Sequence, residues 1–91
     1  MDSLGFIAHH SGRPTDAVDY YRRALDLQRR RLDSFEEADT LDRMARAHVA
    51  LGEVRRAREV WRQAVELYRA QHRTQDVERV LRGLDDLAAD R

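Results

Sequence analysis

The sequence predicts an all-α fold, in which antiparallel helix pairs stack into a right-handed superhelix. Three features support this prediction: an internal period of 40 residues, apolar residues spaced three and four apart, and no segment that alternates with period two. When the chain is aligned with itself at an offset of 40 residues, Gly52–Leu67 falls on Gly12–Leu27. A period of this size indicates one supersecondary unit used more than once. We therefore expect about two and a half copies of the unit and five helices.

The two copies agree at positions where helices would pack together. A glycine, two alanines, an aromatic residue and a leucine recur 40 residues apart: Gly12 and Gly52, Ala17 and Ala57, Tyr21 and Trp61, Ala24 and Ala64, and Leu27 and Leu67. Small residues allow helix axes to approach closely, and large aromatic side chains fill the space between successive pairs. The matching positions therefore form a predicted core.

Two helices are predicted in the first copy, over Met1–Ser11 and Thr15–Leu32. Gly12 suits the end of the first helix because glycine adopts positive φ without strain. Pro14 suits the first turn of the second helix, where a missing N–H group does no harm. Asp16 places negative charge at the positive end of that helix dipole. All three signals mark a boundary near residue 13.

The second copy also contains two helices, predicted over Phe35–Leu51 and Val54–Gln71. Ser34 followed by Glu37 matches a capping box, in which side chains satisfy the free N–H groups at a helix start. Only two residues, beginning with Gly52, separate the two helices. Such a short connection makes them antiparallel neighbours.

A fifth helix is predicted over Gln75–Ala89, and it continues the 40-residue register. Thr74 is the expected N-cap, and Asp76 places negative charge in the first turn. Gly83 lies inside this helix and costs about 1 kcal/mol relative to alanine.

Length and composition fit one small domain over residues 1–91, with a first repeat (1–33), a second repeat (34–73) and a terminal capping helix (74–91). The 17 basic residues, all arginine, balance 17 acidic ones, so no net field attracts nucleic acid or anionic lipid. No cysteine is present, which excludes disulfides and thiolate chemistry. No apolar run approaches the roughly 20 residues that span a bilayer, and the N-terminus lacks a secretion signal. We expect a cytoplasmic protein with no membrane partner.

The repeat resembles a known family. Leu4-Gly5, Ala8, Gly12, Ala17, Tyr21 and Ala24 in the first copy, and Met44-Ala45, His48, Gly52, Ala57, Trp61 and Ala64 in the second, resemble the tetratricopeptide repeat pattern. The period exceeds the family's usual length of about 34 residues. Arg29 and Arg69 stand where the family often has a helix-ending proline, and Asp85 replaces a small residue in the last helix. The resemblance implies a protein–protein interaction module.

A narrower resemblance covers most of the chain. The segments DSLGFIAHH, DAVDYYRRALDL, EADTLDRMARAHVALGE, AREVWRQAVELY and QHRTQDVERVLRGLD resemble the C-terminal repeats of large actinobacterial antibiotic-regulatory transcription activators. In that family a winged-helix DNA-binding domain and a nucleotide-binding oligomerisation domain precede the repeats. This chain contains neither, so the resemblance implies a fragment or an excised module that serves transcription regulation and signal transduction in a bacterium.

Stacked pairs of this kind have a concave face lined by the first helix of each pair. The predicted exposed groove positions lie on the first, third and fifth helices: Ser3, Phe6, His9 and His10; Asp39, Asp42, Arg43, Arg46 and Val49; Arg79, Arg82 and Asp86. Arginines bind carboxylates through forked hydrogen bonds, which favours an acidic or C-terminal peptide as ligand. The alternative is a solvated face whose arginines pair with its own aspartates.

Other functions find little support in the residues. His9 and His10 are adjacent and would point about 100° apart on a helix, which is poor geometry for a metal, and His48 is expected to be a half-buried packing residue. Arg29, Arg30 and Arg31 can touch phosphates, but neighbouring aspartates offset their charge, so no direct nucleic-acid binding is expected. No phosphate loop or exposed nucleophile is present. We expect no enzyme activity, no cofactor and no metal.

Two modes of action remain open. The groove can bind a protein or peptide partner, or the repeats can pack on other domains of the parent regulator. Alternatively the chain is a self-association module, a homodimer formed through its terminal helices, since Leu84 and Leu87 give the last helix a partly apolar face. Repeat arrays need polar terminal faces to stay monomeric.

Overall fold

The structure, a computed structural model, describes residues 14–89. Over that range it contains four α-helices and no strand: α1 (Pro14–Arg30), α2 (Ser34–Ala50), α3 (Val54–Ala70) and α4 (Thr74–Ala89). The all-α fold is confirmed, as are four of the five predicted helices. The first predicted helix, Met1–Ser11, lies outside the described residues.

The four helices begin at positions 14, 34, 54 and 74, so each helix with its loop occupies 20 residues. The 40-residue period therefore consists of two units of equal length. Successive helices pack on one another, α1 on α2, α2 on α3 and α3 on α4, as short loops require. Thr74 is the first residue of α4 and so is not its N-cap, contrary to the prediction.

Asp33, rather than Ser34, caps α2. Its carboxylate accepts a hydrogen bond from the Glu36 N–H group at 3.1 Å, and Ser34 is already helical. Glu37 pairs with Arg29 of α1 at 2.8 Å instead of reaching back to the helix start. The predicted capping box is therefore wrong, and Glu37 serves to join two helices.

The three loops between the helices end the preceding helix in the same way. Leu32, Gly52 and His72 have positive φ values of +56°, +76° and +58°. In each loop the following N–H group bonds back to the carbonyl five residues earlier, as from Asp33 to Gln28 at 2.9 Å. This is the Schellman motif, which usually places glycine at the positive-φ position. Only Gly52 satisfies that preference, so Leu32 and His72 are strained by their β-carbons.

Replacing Leu32 with glycine should raise the free energy of unfolding by about 1 kcal/mol, because it removes this strain. The Leu32 side chain is 90% exposed, so its removal takes little buried apolar surface from the folded state. Urea denaturation followed by circular dichroism measures the change. Gly52→Ala is the matched control and should lower the stability, since an added β-carbon meets no atom within 4 Å and only the backbone is strained. Equal stabilities for wild type and Leu32→Gly would contradict the prediction.

The predicted small and aromatic positions form the core. Ala17, Ala45 and Ala57 are fully buried, and Tyr21 and Trp61 are buried among them. Burial of the alanines lets α2 approach α1 and α3 closely, as the repeat pattern requires. The packing interpretation of these residues is confirmed.

Trp61 also explains the glycine inside α4. A β-carbon built on Gly83 would lie 2.6 Å from Trp61 Cη2 and 2.9 Å from Trp61 Cζ3. Carbon atoms prefer separations of about 3.5–4.0 Å, so a side chain larger than hydrogen collides with the indole ring. The indole ring therefore packs directly against the Gly83 backbone. The low helix propensity of glycine is offset by this packing.

The last helix does not present the apolar face that was expected of it. Leu87 is buried, and Leu84 is partly buried against the core. Leu81 is the large apolar side chain that the described part of α4 exposes. The expectation that Leu84 and Leu87 face outward is wrong, because α4 turns this stripe towards α3.

Candidate functional site

The predicted groove residues separate into two groups. Phe6, His9 and His10, with Ser3, lie outside the described residues. The others lie on α2 and α4, and we call them the α2–α4 face: Asp39, Asp42, Arg43, Arg46 and Val49 on α2, and Arg79, Arg82 and Asp86 on α4. The structure brings members of the two helices together through ionic contacts.

Asp42 is the centre of these contacts, and it is only 3% exposed. Its carboxylate accepts hydrogen bonds from Trp61 Nε1 at 2.9 Å and from the Tyr68 hydroxyl at 3.2 Å. It also accepts from Arg79 Nη2, and more weakly from Arg46 Nη2 at 3.4 Å. The expectation that Asp42 is exposed in the groove is therefore wrong. It is a buried acceptor that joins α2 to α3 and α4.

A second carboxylate, Asp39, lies one turn earlier on α2. It accepts from the Tyr68 hydroxyl at 3.0 Å and from Arg73 Nη2 at 2.8 Å. The Tyr68 hydroxyl has one proton for two carboxylates, so it donates to one of them at a time. Burial, together with the charges of Asp42 and Asp39, raises the pKa of Tyr68 far above its usual value. Tyr68 therefore stays a neutral donor.

Arg73, in the loop between α3 and α4, belongs to the same set of contacts. We call this set the ionic cluster, and its members are Asp39, Asp42, Trp61, Tyr68, Arg73, Asp76 and Arg79. Its Nε donates to Asp76 Oδ2 at 2.9 Å. The guanidinium carbon lies 4.1 Å from the centre of the Phe35 ring and 4.6 Å from the centre of the Tyr68 ring. Cation–π contacts of this kind hold the planar cation between two aromatic faces. The side chain thus fixes the loop against α2.

Arg79 completes the network on α4. It donates through Nη1 to Asp76 Oδ1 at 2.6 Å and through Nη2 to Asp42. Burial acts to lower the pKa of Arg79, but the hydrogen bonds to both carboxylates outweigh it and the pKa is raised. The bond from Arg79, aided by the charge of Arg73 and opposed by burial, lowers the pKa of Asp76. Arg79 and Asp76 are therefore charged near neutral pH.

The contacts leave part of the α2–α4 face available. Asp39 and Asp42 are held by arginines of the same chain, and both terminal nitrogens of Arg79 are occupied. The Arg46 side chain is 49% exposed and uses one nitrogen on Asp42. Within the described residues Arg82 is exposed and makes no ion pair.

Several members of the cluster were not recognised in the sequence as polar partners, among them two aromatic residues of α3. Trp61 and Tyr68 were assigned to the apolar stripe of α3, and both are buried there. They are seven residues apart, so their polar ends lie on one face. That face is opposite Asp39 and Asp42, which are three residues apart on α2. Such paired spacing is the signal that could have indicated the contact.

His48 is more deeply buried than the half-buried state that was expected. It is 2% exposed, and its Nδ1 lies 2.8 Å from Glu53 Oε1. This hydrogen bond is the main cause that lowers the pKa of Glu53. Because Glu53 is used in this way, its side chain makes no capping bond at the start of α3.

Among residues 14–89 no three histidine, cysteine or acidic side chains are grouped to hold a metal ion. None of the helices in that range is long and apolar enough to cross a membrane. Arg29 and Arg30, considered for phosphate contact, pair with Glu37 at 2.8 Å and with Asp26 at 3.1 Å.

Comparison with known proteins identifies the repeat. The family model described as tetratricopeptide repeat matches residues 1–70, which include α1, α2 and α3. No curated protein and no solved structure matched the chain. Repeats of this family generally mediate protein–protein interaction and are typically not catalytic. The match spans well over half of the sequence, and the helical array agrees with it, so the chain belongs to the tetratricopeptide repeat family.

Proposed function

We propose that the chain binds an acidic protein segment on its α2–α4 face, within the regulatory repeat region of a cytoplasmic bacterial transcription regulator. One observation carries the binding mode. The aspartates of the cluster are satisfied by arginines of the fold, whereas Arg46 and Arg82 keep N–H groups for a partner. Exposed Val49 lies one turn from Arg46 and offers apolar contact. The regulator context rests on the resemblance of the repeats to actinobacterial transcription activators.

The ionic cluster would hold the arginine side chains of this face in a fixed orientation. Arg46 is already oriented by its bond to Asp42, so it loses less side-chain freedom when it binds a carboxylate. Arginine offers two parallel N–H groups to a carboxylate, which sets direction as well as strength. Arg43 lies beside them on α2, and Phe6, His9 and His10 would extend the face on the first predicted helix. The partner is either a separate protein or another domain of the regulator.

Fluorescence anisotropy with a labelled hexaglutamate peptide that ends in a free carboxylate tests the binding mode. The neutral pair Arg46→Gln/Arg82→Gln should weaken binding by about tenfold or more, since two charged hydrogen bonds are lost. The matched pair Arg55→Gln/Arg62→Gln removes the same charge from exposed positions on α3, away from this face. Equal loss in both pairs, or no binding by the wild type, would refute the proposal.

The regulator context has its own test. Isothermal titration of residues 1–91 with the purified DNA-binding and nucleotide-binding domains of such a regulator should show binding that Arg46→Gln/Arg82→Gln weakens. Absence of heat at high concentration would exclude packing on those domains. Self-association through α4 is not favoured, because Leu84 and Leu87 pack inward on α3.

A further inference from the structure

A second concave surface lies between α1 and α3, and we call it the α1–α3 groove. It is an open cavity of about 500 Å³. Leu25, Leu41 and Met44 form its floor, and its rim carries arginines of α1 and Gln63 of α3. A smaller cavity of about 290 Å³ continues it and shares Met44 and Gln63. No residue of α4 or of the α2–α4 face lines either cavity.

The groove is rigid at its base. Leu25, Leu41 and Met44 are buried in the core, so their positions are set by packing rather than by a ligand. A site that is formed before binding spends less free energy on ordering. The volume lies within the range of about 300–1,000 Å³ that is usual for ligand pockets. It fits a few side chains of a peptide and is too small for a whole protein domain.

The rim is positively charged and incompletely neutralised. Arg22, Arg23 and Arg29 line it from α1, against Asp26 on the same helix. Asp26 is paired with Arg30, which does not line the cavity, at 3.1 Å. Arg22 reaches Asp19 only at 4.0 Å, and both side chains are more than half exposed.

Arg23 makes no ion pair with any of the residues 14–89, and it is exposed. Arg29 has a partner in Glu37, at 2.8 Å. Of the cations that line the larger cavity, Arg22 and Arg23 therefore remain available, at successive positions of α1. The smaller cavity adds one arginine and one glutamate of α3. The side chains of Arg22 and Arg23 leave the helix about 100° apart, so the two guanidinium groups favour a ligand whose carboxylates are themselves separated.

We propose that the α1–α3 groove is a second docking site, which binds a short acidic protein segment by inserting an aliphatic side chain over Met44 and pairing its carboxylates with Arg22 and Arg23. The apolar floor favours a peptide over a phosphate chain. Nucleic-acid sites add aromatic side chains on which bases stack, and none of the aromatic residues that the structure describes lines this groove. Because the net charge of the chain is zero, the protein also has no overall positive field to attract nucleic acid.

This site is independent of the binding mode proposed for the α2–α4 face. The experiment is therefore made in the Arg46→Gln/Arg82→Gln background, in which that face is disabled. The probe is a short fluorescein-labelled peptide with two leucines one helical turn apart among glutamates. Anisotropy measures its affinity, and an unlabelled hexaglutamate peptide and a single-stranded oligonucleotide serve as competitors.

The added pair Arg22→Glu/Arg23→Glu should weaken the probe by about tenfold or more, mainly through the lost charge complementarity. The matched pair Arg55→Glu/Arg62→Glu carries the same charge change on exposed positions of α3 outside the groove and should have little effect. Gln63→Trp fills the exposed rim without changing charge and should also weaken the probe. Thermal unfolding checks that each variant is folded.

Three results would overturn the inference. The first is an equal loss of probe affinity in the groove pair and the control pair, which would mean that the probe responds only to the net charge of the protein. The second is probe binding that Gln63→Trp leaves unchanged, which removes the groove from the contact. The third is competition by hexaglutamate or the oligonucleotide that is as strong as competition by the unlabelled probe. That result would show that the leucines contribute nothing to the affinity. If the α2–α4 face fails to bind hexaglutamate while the groove pair still weakens the probe, only the proposed function fails.

Discussion

Replacing Asp42 with alanine should lower the free energy of unfolding by about 3–5 kcal/mol, because it removes a buried carboxylate that accepts from four side chains. Trp61 Nε1 and Arg79 Nη2 would lose their acceptor, and Tyr68 would keep only Asp39. A buried donor without a partner costs its full desolvation energy, which exceeds the net value of the bond. Urea denaturation followed by circular dichroism measures the loss.

Two further variants separate this cause from a general effect of removing an acid. Asp86 is an exposed aspartate on α4, and Asp86→Ala should change the stability by no more than about 0.5 kcal/mol. Asp42→Asn keeps one oxygen for Trp61 but turns an amide towards Arg79, so it should fall between wild type and alanine. If Asp42→Ala leaves no folded protein, the stability of Asp42→Asn still tests the prediction. Equal stability of Asp42→Asn and wild type would show that the charge of Asp42 contributes nothing.

The helical array could be predicted because it depends on periodic features of the sequence. The recurrence of Ala17 at Ala57 and of Tyr21 at Trp61 reports which faces pack, and burial confirms those faces. The helix bounds differ from the predicted ones by at most two residues. The largest difference is at the end of α1, because the positive-φ turn there uses Leu32, a residue type that does not mark a turn in sequence. A glycine at the equivalent loop position, Gly52, was recognised.

The charge cluster could not be predicted in the same way. The helical period assigned Asp42 to a face, and it could not show that Tyr68 and Arg79 would cover that face from two other helices. An aspartate on a predicted outer face looks the same in sequence whether water or an arginine meets it. The partners are fixed by the angle between helices, which depends on core packing.

The partner of Gly83 on another helix could not be predicted from the sequence either, and substitution of this glycine should have a large effect on stability. Gly83→Ala should lower the free energy of unfolding by about 1–3 kcal/mol through overpacking. At a helix position without neighbours the same change would stabilise by up to about 1 kcal/mol. Here the added carbon meets the Trp61 ring at 2.6 Å. The ring cannot easily withdraw, because its Nε1 is bonded to Asp42 at 2.9 Å.

A double-mutant cycle with Trp61→Phe isolates this collision. Phenylalanine lacks the outer ring atoms Cη2, Cζ2 and Cζ3 of indole, which are the atoms that a β-carbon on Gly83 would meet. In the Trp61→Phe background Gly83→Ala should therefore be neutral or stabilising, although Trp61→Phe itself destabilises by losing the bond to Asp42. The difference between the two backgrounds measures the coupling between residues 61 and 83. Equal effects of Gly83→Ala in both backgrounds would mean that backbone conformation, rather than the indole ring, requires glycine in α4.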